Sequence, residues 1–343
     1  MFEKNTSDLH CHLNGSFSLP FLYKVAGKNG RLDEYTRLVE LRESYLIKTK
    51  EQPADGFAEE DVKLVWEQFA LIHKIIQTLD DIHLGTIDVI RNSLAKYLEI
   101  RTTPKGIDKK SREEYITAFE QGLIDASLDS SIEKKAFGLL SLDRTYHSLE
   151  VAKEFMARVT NSREGVLKGI DICGNPLSSR TLRGDDLKQL IDEALNRNIG
   201  LTIHMGEADT EIERQDTDTI LTALEKWVEE NASQKEKPLH GKVRLGHCIF
   251  LTESQKVRIR KLNIPIEVCP TCHSKLNWHL ENSPHPVTDI YSDLSEAITF
   301  ATDDEIIFGA SIKDELRKGL RFFTNRLNLT LKEIKANQAQ FRF

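Results

Sequence analysis

The sequence lacks the features that would indicate several large classes of protein. No run of about 18 apolar residues occurs in the chain of 343 residues, so no segment predicts a transmembrane helix. The net charge is −7 and charges of both signs are interspersed, which offers no basic surface to a nucleic-acid backbone. The opening MFEKNTSD has no basic and apolar segments of an export signal. We therefore expect a protein that binds neither nucleic acid nor membrane.

Cysteine is scarce as well. An odd number of cysteines, five, in a long chain argues against a disulfide framework and for a reducing compartment, so we expect a cytoplasmic protein. With 39% hydrophobic and 29% charged residues and no repeat, the composition is that of an ordinary globular protein. The cysteines are Cys11, Cys173, Cys248, Cys269 and Cys272.

Short β-type runs alternate with amphipathic helical segments along the whole chain. The helical segments include DDLKQLIDEALNRN, whose Leu187, Leu190, Ile191 and Leu195 follow the spacing of a helix packed on a sheet. Such alternation indicates an α/β fold with parallel strands, either a (β/α)8 barrel or an open doubly wound sheet. The eight β-type runs are SDLHCHL, KYLEIRTT, AFGLLSL, VLKGIDIC, IGLTIHM, VRLGHCI, IPIEVCP and AITFATDD.

Polar residues at the ends of these runs favour the barrel, because functional side chains of barrels gather at the carboxyl ends of many strands. We therefore predict a (β/α)8 TIM barrel that forms a single domain over residues 1–343. The segment at about 19–80 is rich in helical pattern and too long for one crossover. We expect it to add helices over the carboxyl-terminal mouth, where they could act as a lid.

Two histidines on the first predicted strand form the first candidate site. Side chains alternate along a strand, so His10 and His12 project to one side, while Cys11 and Leu13 face the other. Imidazole is a common zinc ligand, and this spacing suits two ligands of one metal. An ordinary surface or core pair is the alternative for so short a motif.

Further polar residues lie at the ends of two other predicted strands. His204 and Glu207 close LTIHMGE, and His247 follows a glycine in RLGHC. A strand-end histidine that binds a backbone carbonyl, with a solvated glutamate, is the structural alternative. If the barrel closes, these groups converge with the first pair, and Glu207 and His247 are then available for proton transfer.

Adjacent carboxylates follow the last predicted strand. In an extended chain Asp303 and Asp304 point to different faces, so one can bind a metal while the other faces a substrate. A helix N-cap is the alternative. A divalent metal at this mouth would lower the pKa of bound water to about 7. Its predicted ligands are His10, His12, His204 and Asp303.

With these residues assembled, the chain resembles the adenosine deaminase family of zinc-dependent hydrolases over about residues 5–340. Within this family, the sequence is most similar to the branch that acts on N6-methyl-AMP, through the motifs HLNGS, RTTPK, LDRT and GNP. The motifs in family order are DLHCHLNGS, YLEIRTTP, GIDICGNP, HMGE, RLGHC, EVCP and TDD.

The resemblance implies a mechanism and one zinc ion per chain. Zinc-bound hydroxide, oriented by Asp304, would attack C6 of an adenine nucleoside or nucleotide. Glu207 would protonate N1, His247 would shuttle the proton, and ammonia or methylamine would leave. The resemblance thus implies a hydrolase that converts adenosine, AMP or N6-methyl-AMP to the 6-oxo product.

The resemblance also implies a set of substrate contacts. Typical adenosine deaminases carry aspartate where Asn14 stands, and an amide can donate to a phosphate that a carboxylate would repel. Lys105 and Arg144 would supply cationic partners, although each could equally be a solvated surface residue. We expect a monomer with a small purine ligand. The implied substrate-binding residues are His12, Asn14, Thr102, Lys105, Asp143, Arg144 and Gly174.

The chain departs from the family pattern in CPTCHSKL. Cys272 stands for a usual serine and His273 for a usual asparagine, which puts local substrate contacts in doubt but not the metal site. His285 matches a family His-Pro, whereas His279 has no assignment.

Three rival interpretations stay open at this point. The C-x-x-C pair is also typical of zinc or redox sites, but its partner motif is missing. Another metal-dependent barrel amidohydrolase would share the first histidine pair and the last aspartate. A catalytically inactive binding relative is the third, although it would have no chemical reason to keep Glu207 and Asp304 together. Adenosine, AMP, N6-methyl-AMP and adenine all remain candidate substrates.

Overall fold

The computed structural model describes residues 6–51, 59–231, 238–276, 278, 284–292, 297–322 and 338–343. Its strands form one eight-stranded sheet whose spatial order follows the chain, from β1 to β8. Each of the eight predicted runs overlaps one strand, and the pairs β1–β2 and β4–β5 through β7–β8 are parallel. The strands are β1 Ser7–His12, β2 Tyr97–Thr102, β3 Lys135–Asp143, β4 Leu167–Cys173, β5 Gly200–Met205, β6 Val243–His247, β7 Ile266–Val268 and β8 Ile298–Phe300.

The segment that follows β8 returns to β1. Asp303 forms a parallel bridge with Cys11. The backbone N–H of His12 donates to the carbonyl of Asp303 at 2.8 Å, and that of Asp303 donates to the carbonyl of His10 at 2.8 Å. The sheet therefore closes as a (β/α)8 barrel, which confirms the predicted fold class.

Helices connect the strands as the alternation predicts. In α7 the four apolar residues of the predicted stripe, Leu187, Leu190, Ile191 and Leu195, are all buried. A short 3-10 helix spans Arg163–Gly165. The α-helices are α1 Leu19–Asn29, α2 Leu32–Glu51, α3 Glu59–Ile75, α4 Leu79–Asn92, α5 Arg112–Leu128, α6 Leu149–Thr160, α7 Gly184–Asn196, α8 Glu211–Asn231, α9 Glu253–Leu262, α10 Pro270–Lys275, α11 Val287–Ile290, α12 Glu305–Phe308 and α13 Ile312–Phe322.

The extra helices between β1 and β2 are α1 to α4. Helix α2 contacts segments that follow the carboxyl ends of β7 and β8: the Tyr45 hydroxyl donates to the carbonyl of Lys275 at 3.1 Å, and Arg42 Nε donates to the carbonyl of Ile306. The predicted additional helices are therefore present at the carboxyl-terminal end of these strands. Residues 52–58 of the predicted insertion lie outside the described residues, and a lid movement stays a prediction.

The chain divides into two compact units. The prediction of a single domain is not tested by this division and stays a prediction. The first unit comprises Met1–Gly138, Cys269–Asn282 and Ala301–Lys318, and the second comprises Leu139–Val268, Ser283–Phe300 and Gly319–Phe343.

All five cysteines are buried. Among the helices of the described ranges, none combines the length and the apolar character needed to cross a lipid bilayer.

Candidate active site

In the first unit, two imidazoles converge on one carboxylate. The Nε2 atoms of His10 and His12 lie 3.2 and 3.5 Å from Oδ1 of Asp303. Ligand atoms about 2.0 to 2.1 Å from a tetrahedral zinc ion stand roughly 3.3 Å apart. Two imidazole nitrogens and a carboxylate oxygen at this spacing therefore suit zinc in both chemistry and distance.

The local backbone directs these groups. The β1–β2 register shifts between Asp8 and Cys11, and a bulge of this kind re-aims the side chains beside it. The Asp8 carboxylate accepts the hydroxyl of Thr302 at 2.5 Å, which joins β1 to the segment after β8. Burial raises the pKa of Asp8 to about 6 against these hydrogen bonds. The bulge and this hydrogen bond hold the three candidate ligands in place.

The backbone at Asp303 is not extended, so the expectation drawn from an extended chain is wrong there. Asp303 has a φ of 62°, because the chain turns between β8 and α12. Asp304 then occupies the N-cap position of α12, yet its side chain makes no capping hydrogen bond. The carboxylate of Asp304 thus does not serve the helix.

The Asp304 carboxylate is buried against a glycine. A Cβ atom on Gly15 would clash with its Oδ1, so the HLNGS motif needs glycine here to accommodate the carboxylate. Burial, and next the charge of Asp303, raise the pKa of Asp304 well above its ordinary value, while the buried Arg101 acts in the opposite direction. A carboxyl group in this setting readily exchanges a proton or a hydrogen bond with a bound molecule.

The departure at position 272 reaches a candidate metal ligand, which the sequence interpretation had not anticipated. The Cys272 thiol hydrogen-bonds to the carboxylate of Asp303. Burial, followed by the charge of Asp303, raises the pKa of this thiol well above its ordinary range, so the thiol is protonated and acts as the donor. His273 is buried and stacks on Trp278 at 6.0 Å.

The structure describes one of the two remaining histidines that follow CPTCHSKL. The ring of His285 accepts the backbone N–H of Val287 and stacks on Phe322, which is a structural role at the start of α11. His279 lies outside the described residues.

In the second unit, His204 lies near the carboxyl end of β5. Its Nδ1 lies 3.1 Å from Oδ1 of Asp171 and 3.2 Å from the carbonyl of Ile172, both on the neighbouring β4. Histidines that bind metals usually direct their other nitrogen at a carboxylate or carbonyl in this way. An Nδ1 atom held in this way would direct His204 Nε2 toward a metal.

Glu207 and His247 lie together in the same unit. Nε2 of His247 is 3.6 Å from Oε1 of Glu207. His247 ends β6 with a φ of 63°, a left-handed conformation that non-glycine residues rarely adopt outside turns and functional sites. Burial, as the largest cause, raises the pKa of Glu207 to about 7. Glu207 can therefore carry a proton near neutral pH, as a general acid must.

In the first unit, the side chain of Asn14 hydrogen-bonds to one of the extra helices between β1 and β2. Its Nδ2 lies 3.1 Å from Nε2 of His73 in α3. The His73 side chain is solvent-exposed, yet desolvation by the surrounding protein, and next the charge of Lys105, lower its pKa to about 3. Desolvation lowers the pKa of Lys105 to about 8. Within the described part of the chain, no carboxylate pairs with the Lys105 ammonium group.

The remaining predicted substrate residues differ in setting. The Thr102 hydroxyl lies 2.7 Å from the hydroxyl of Tyr115, and both are buried. In the second unit a Cβ atom on Gly174 would lie 2.7 Å from Oδ1 of Asp143, and the φ of 138° also requires glycine. The Arg144 guanidinium is fully buried and donates to the carbonyl of His204 at 2.8 Å. Substrate contact stays a prediction for these residues.

Comparison with known proteins agrees with this arrangement. The adenosine deaminase family model matches residues 6–226, which is more than half of the chain. The chain belongs to the adenosine deaminase family. A Xenopus laevis protein named N6-methyl-AMP deaminase-L is 25% identical over 331 residues, covering 92% of this chain and 83% of the relative.

Solved structures of family members share the fold. An Arabidopsis N6-mAMP deaminase superposes with a TM-score of 0.76 at 23% identity, covering 99% of this chain and 94% of the other. The Arabidopsis protein ADAL in complex with IMP gives a TM-score of 0.73 at 22% identity, covering 97% and 89%. Membership of the adenosine deaminase family makes this protein a hydrolase of the class that acts on C–N bonds of cyclic amidines.

Several residues around the candidate site of this family member were missed by sequence reasoning. His73 lies on a helix whose amphipathic pattern gives no sign of function. Asp171 and Arg101 did leave a signal, because each is a charged residue next to large apolar residues of a predicted strand, where burial demands a partner. Glu213 and Arg180, which surround Arg144, carry no such mark in the sequence.

Proposed function

We propose that the protein is a zinc-dependent hydrolytic deaminase of an adenine nucleotide, AMP or N6-methyl-AMP, with IMP as the product. The observation that carries the proposal is the convergence of two imidazole nitrogens, from His10 and His12, on the carboxylate of Asp303. Family membership supports the same chemistry.

His204 is the proposed fourth zinc ligand. The carboxyl ends of the strands of a (β/α)8 barrel form one face, where active sites of this fold are built. His204 lies near the end of β5, and its Nδ1 is already directed at Asp171. When bound, zinc lowers the pKa of a water molecule enough to supply hydroxide at neutral pH.

The protein's own groups then handle the protons. Glu207, buried with a pKa of about 7, would donate a proton to N1 of the purine, so that the ring can accept electrons at C6. His247, 3.6 Å from the Glu207 carboxylate, would receive the water proton. Asp304 would accept a hydrogen bond from the attacking water. A C6–O bond forms and the C6–N bond breaks; the departing amine would take the proton that His247 received, and the C6 hydroxyl would return a proton to Glu207 as it becomes the 6-oxo group.

A phosphate on the substrate explains the cluster of Asn14, His73 and Lys105. A desolvated ammonium group without a carboxylate partner favours an anionic ligand, since buried charges are normally paired. The amide of Asn14 and the neutral ring of His73 can donate to phosphate, and neither brings the negative charge that would repel it. IMP bound to the Arabidopsis relative ADAL supports a nucleotide as the ligand.

A substrate panel tests this proposal. Purified protein should contain about one zinc ion per chain and should convert AMP or N6-methyl-AMP with a kcat/KM at least about tenfold above that for adenosine or adenine, as measured by the ultraviolet shift to the 6-oxo product. Glu207→Gln should lose activity on every substrate by at least about a hundredfold. Lack of turnover on the whole panel would refute the deaminase proposal.

Variants of the Asn14 cluster test the phosphate separately. Asn14→Asp and Lys105→Met should lower kcat/KM for the nucleotide about 10- to 100-fold and leave that for adenosine within about threefold, since the lost contact involves only the phosphate. Lys109→Met, at an exposed lysine of the same loop, is the matched control and should change neither. Equal losses on nucleotide and nucleoside would contradict phosphate recognition by these residues.

A further inference from the structure

A buried cluster of charges lies behind Glu207 in the second unit. The Arg144 guanidinium lies 3.6 Å from Oε1 of Glu213 and 4.0 Å from Oε2 of Glu207. Arg180 pairs with Glu213 at 2.5 Å and with Asp216 at 3.4 Å. All five side chains are at most 8% exposed, so water contributes little to their solvation.

The charges of this cluster balance without Glu207. Two guanidinium groups, of Arg144 and Arg180, face two other carboxylates, of Glu213 and Asp216. An arginine within about 4 Å of a carboxylate ordinarily lowers its pKa by about 1 to 3 units. Glu207 nevertheless has a pKa of about 7, with burial as the largest cause and the charge of Glu213 raising it further. The positive charges of the two arginines are therefore largely compensated by Glu213 and Asp216.

Glu213 is placed to control this balance. Its carboxylate contacts both arginines, and its Oε1 also accepts the backbone N–H of Glu207 at 3.5 Å. We propose that Glu213 is a positioning residue of the deamination: by compensating the charge of Arg144 and fixing the backbone of Glu207, it allows Glu207 to hold the proton that it donates. This inference rests on the proposed function of Glu207 as the proton donor.

The role differs from the substrate contact that the sequence suggested for Arg144. The Arg144 guanidinium is fully buried, and it also fixes the backbone carbonyl of His204 at 2.8 Å. Its positive charge serves the interior of the protein. In the described part of the chain, the titratable or charged groups that act on Glu207 from the surrounding elements include Arg144 after β3, Arg180 after β4, His204 on β5, Glu213 on α8, His247 on β6 and Cys248 directly after β6.

Titration of the Glu207 carboxyl group tests the inference directly. Metal-free protein with ¹³C-labelled glutamate side chains is titrated by NMR, and the Glu207 signal is identified by its absence in Glu207→Gln. In Glu213→Gln the midpoint of Glu207 should fall by about 1 to 2 pH units, because the arginine charge is no longer compensated. In Arg180→Gln the midpoint of Glu207 should rise, because less positive charge then offsets the negative charge of Glu213.

The double variant distinguishes charge balance from a general structural effect. Arg180→Gln combined with Glu213→Gln removes one charge of each sign, and the midpoint of Glu207 should return to within about half a unit of wild type. Glu211→Gln, at an exposed position of the same helix, is the matched control and should leave the midpoint unchanged. If Glu213→Gln does not fold, the opposite shift in Arg180→Gln tests the same balance. An unchanged or raised midpoint in Glu213→Gln, or an unchanged midpoint in Arg180→Gln, would overturn the inference.

Kinetics of the metal-loaded enzyme supply the second readout. The alkaline limb of the kcat/KM profile should move to lower pH in Glu213→Gln by the same 1 to 2 units, roughly a 10- to 100-fold loss on that limb. Lack of turnover in the wild type would refute the proposed function while leaving the NMR titration to decide on the charge balance. Turnover with an unshifted profile in Glu213→Gln would refute the inference alone.

Discussion

Glu315 should make the stability of this protein depend on pH. The carboxyl group lies fully buried on α13 and accepts the backbone N–H of Thr271 at 2.8 Å, while the hydroxyl of Thr271 donates to its other oxygen. Burial raises the pKa of Glu315 to about 7 from an ordinary 4.5, although the Thr271 hydrogen bonds and the charge of Lys318 act against the rise. A protonated carboxyl group therefore suits the folded state, and Glu315→Gln mimics it at every pH.

The sign and the size of the effect follow from this pKa. The folded state binds the Glu315 proton more tightly than the unfolded state, so this contribution to stability is fully present below about pH 4.5 and is lost as the pH rises through about 7. Between pH 5 and pH 8.5 the loss amounts to about 2 to 3 kcal/mol, since each pKa unit corresponds to about 1.4 kcal/mol. The glutamine variant has no such loss.

Urea unfolding at pH 5 and pH 8.5 measures the difference. The free energy of unfolding of Glu315→Gln, relative to that of wild type, should increase by about 2 to 3 kcal/mol between the two pH values. The comparison with wild type cancels the titration of all other groups. Glu133→Gln, at a side chain that is 87% exposed, is the matched control and should show no such change. A relative stability of Glu315→Gln that is constant with pH would refute this reasoning.

Two further predictions concern the candidate site. Gly15→Ala should displace the Asp304 carboxylate, with which its Cβ would clash, and should lower kcat by about a hundredfold in protein whose circular dichroism matches wild type. Unchanged kcat would show that Asp304 tolerates the displacement. Asp171→Asn should weaken zinc binding about 10- to 100-fold in chelator competition, because its carboxylate lies 3.1 Å from His204 Nδ1; equal affinity would argue against His204 as a ligand.

The fold was predictable from the sequence because its signals are local. Each β-type run alternates with a helix whose apolar stripe, such as that of α7, needs no distant partner to be recognised. The histidines of β1 were predictable for the same reason, since side-chain alternation alone places His10 and His12 on one side. Their convergence on Asp303 depends on barrel closure, which the pattern only implied.

What could not be predicted depends on contacts between distant segments. The left-handed backbone of Asp303 arises where the chain turns into α12; aspartate adopts this conformation more readily than most residues, but its presence alone does not specify it. The contact of Asn14 with His73 joins a strand end to a helix 59 positions away. Arginine side chains are usually exposed, so the sequence offers no reason to expect that Arg144 is buried. Its burial depends on Glu213, a residue distant in sequence whose carboxylate compensates the guanidinium charge. The sequence therefore predicted the helices and strands better than it predicted which side chains contact one another.

Deamination in water labelled with ¹⁸O tests the central proposal most directly. Wild-type protein is incubated with N6-methyl-AMP in labelled water, and the products are analysed by mass spectrometry. We expect IMP that carries one ¹⁸O atom, together with an equal amount of methylamine, and at least about a hundredfold slower product formation with Glu207→Gln. Unchanged substrate, or IMP without the label, would contradict hydrolytic attack at C6 by this protein.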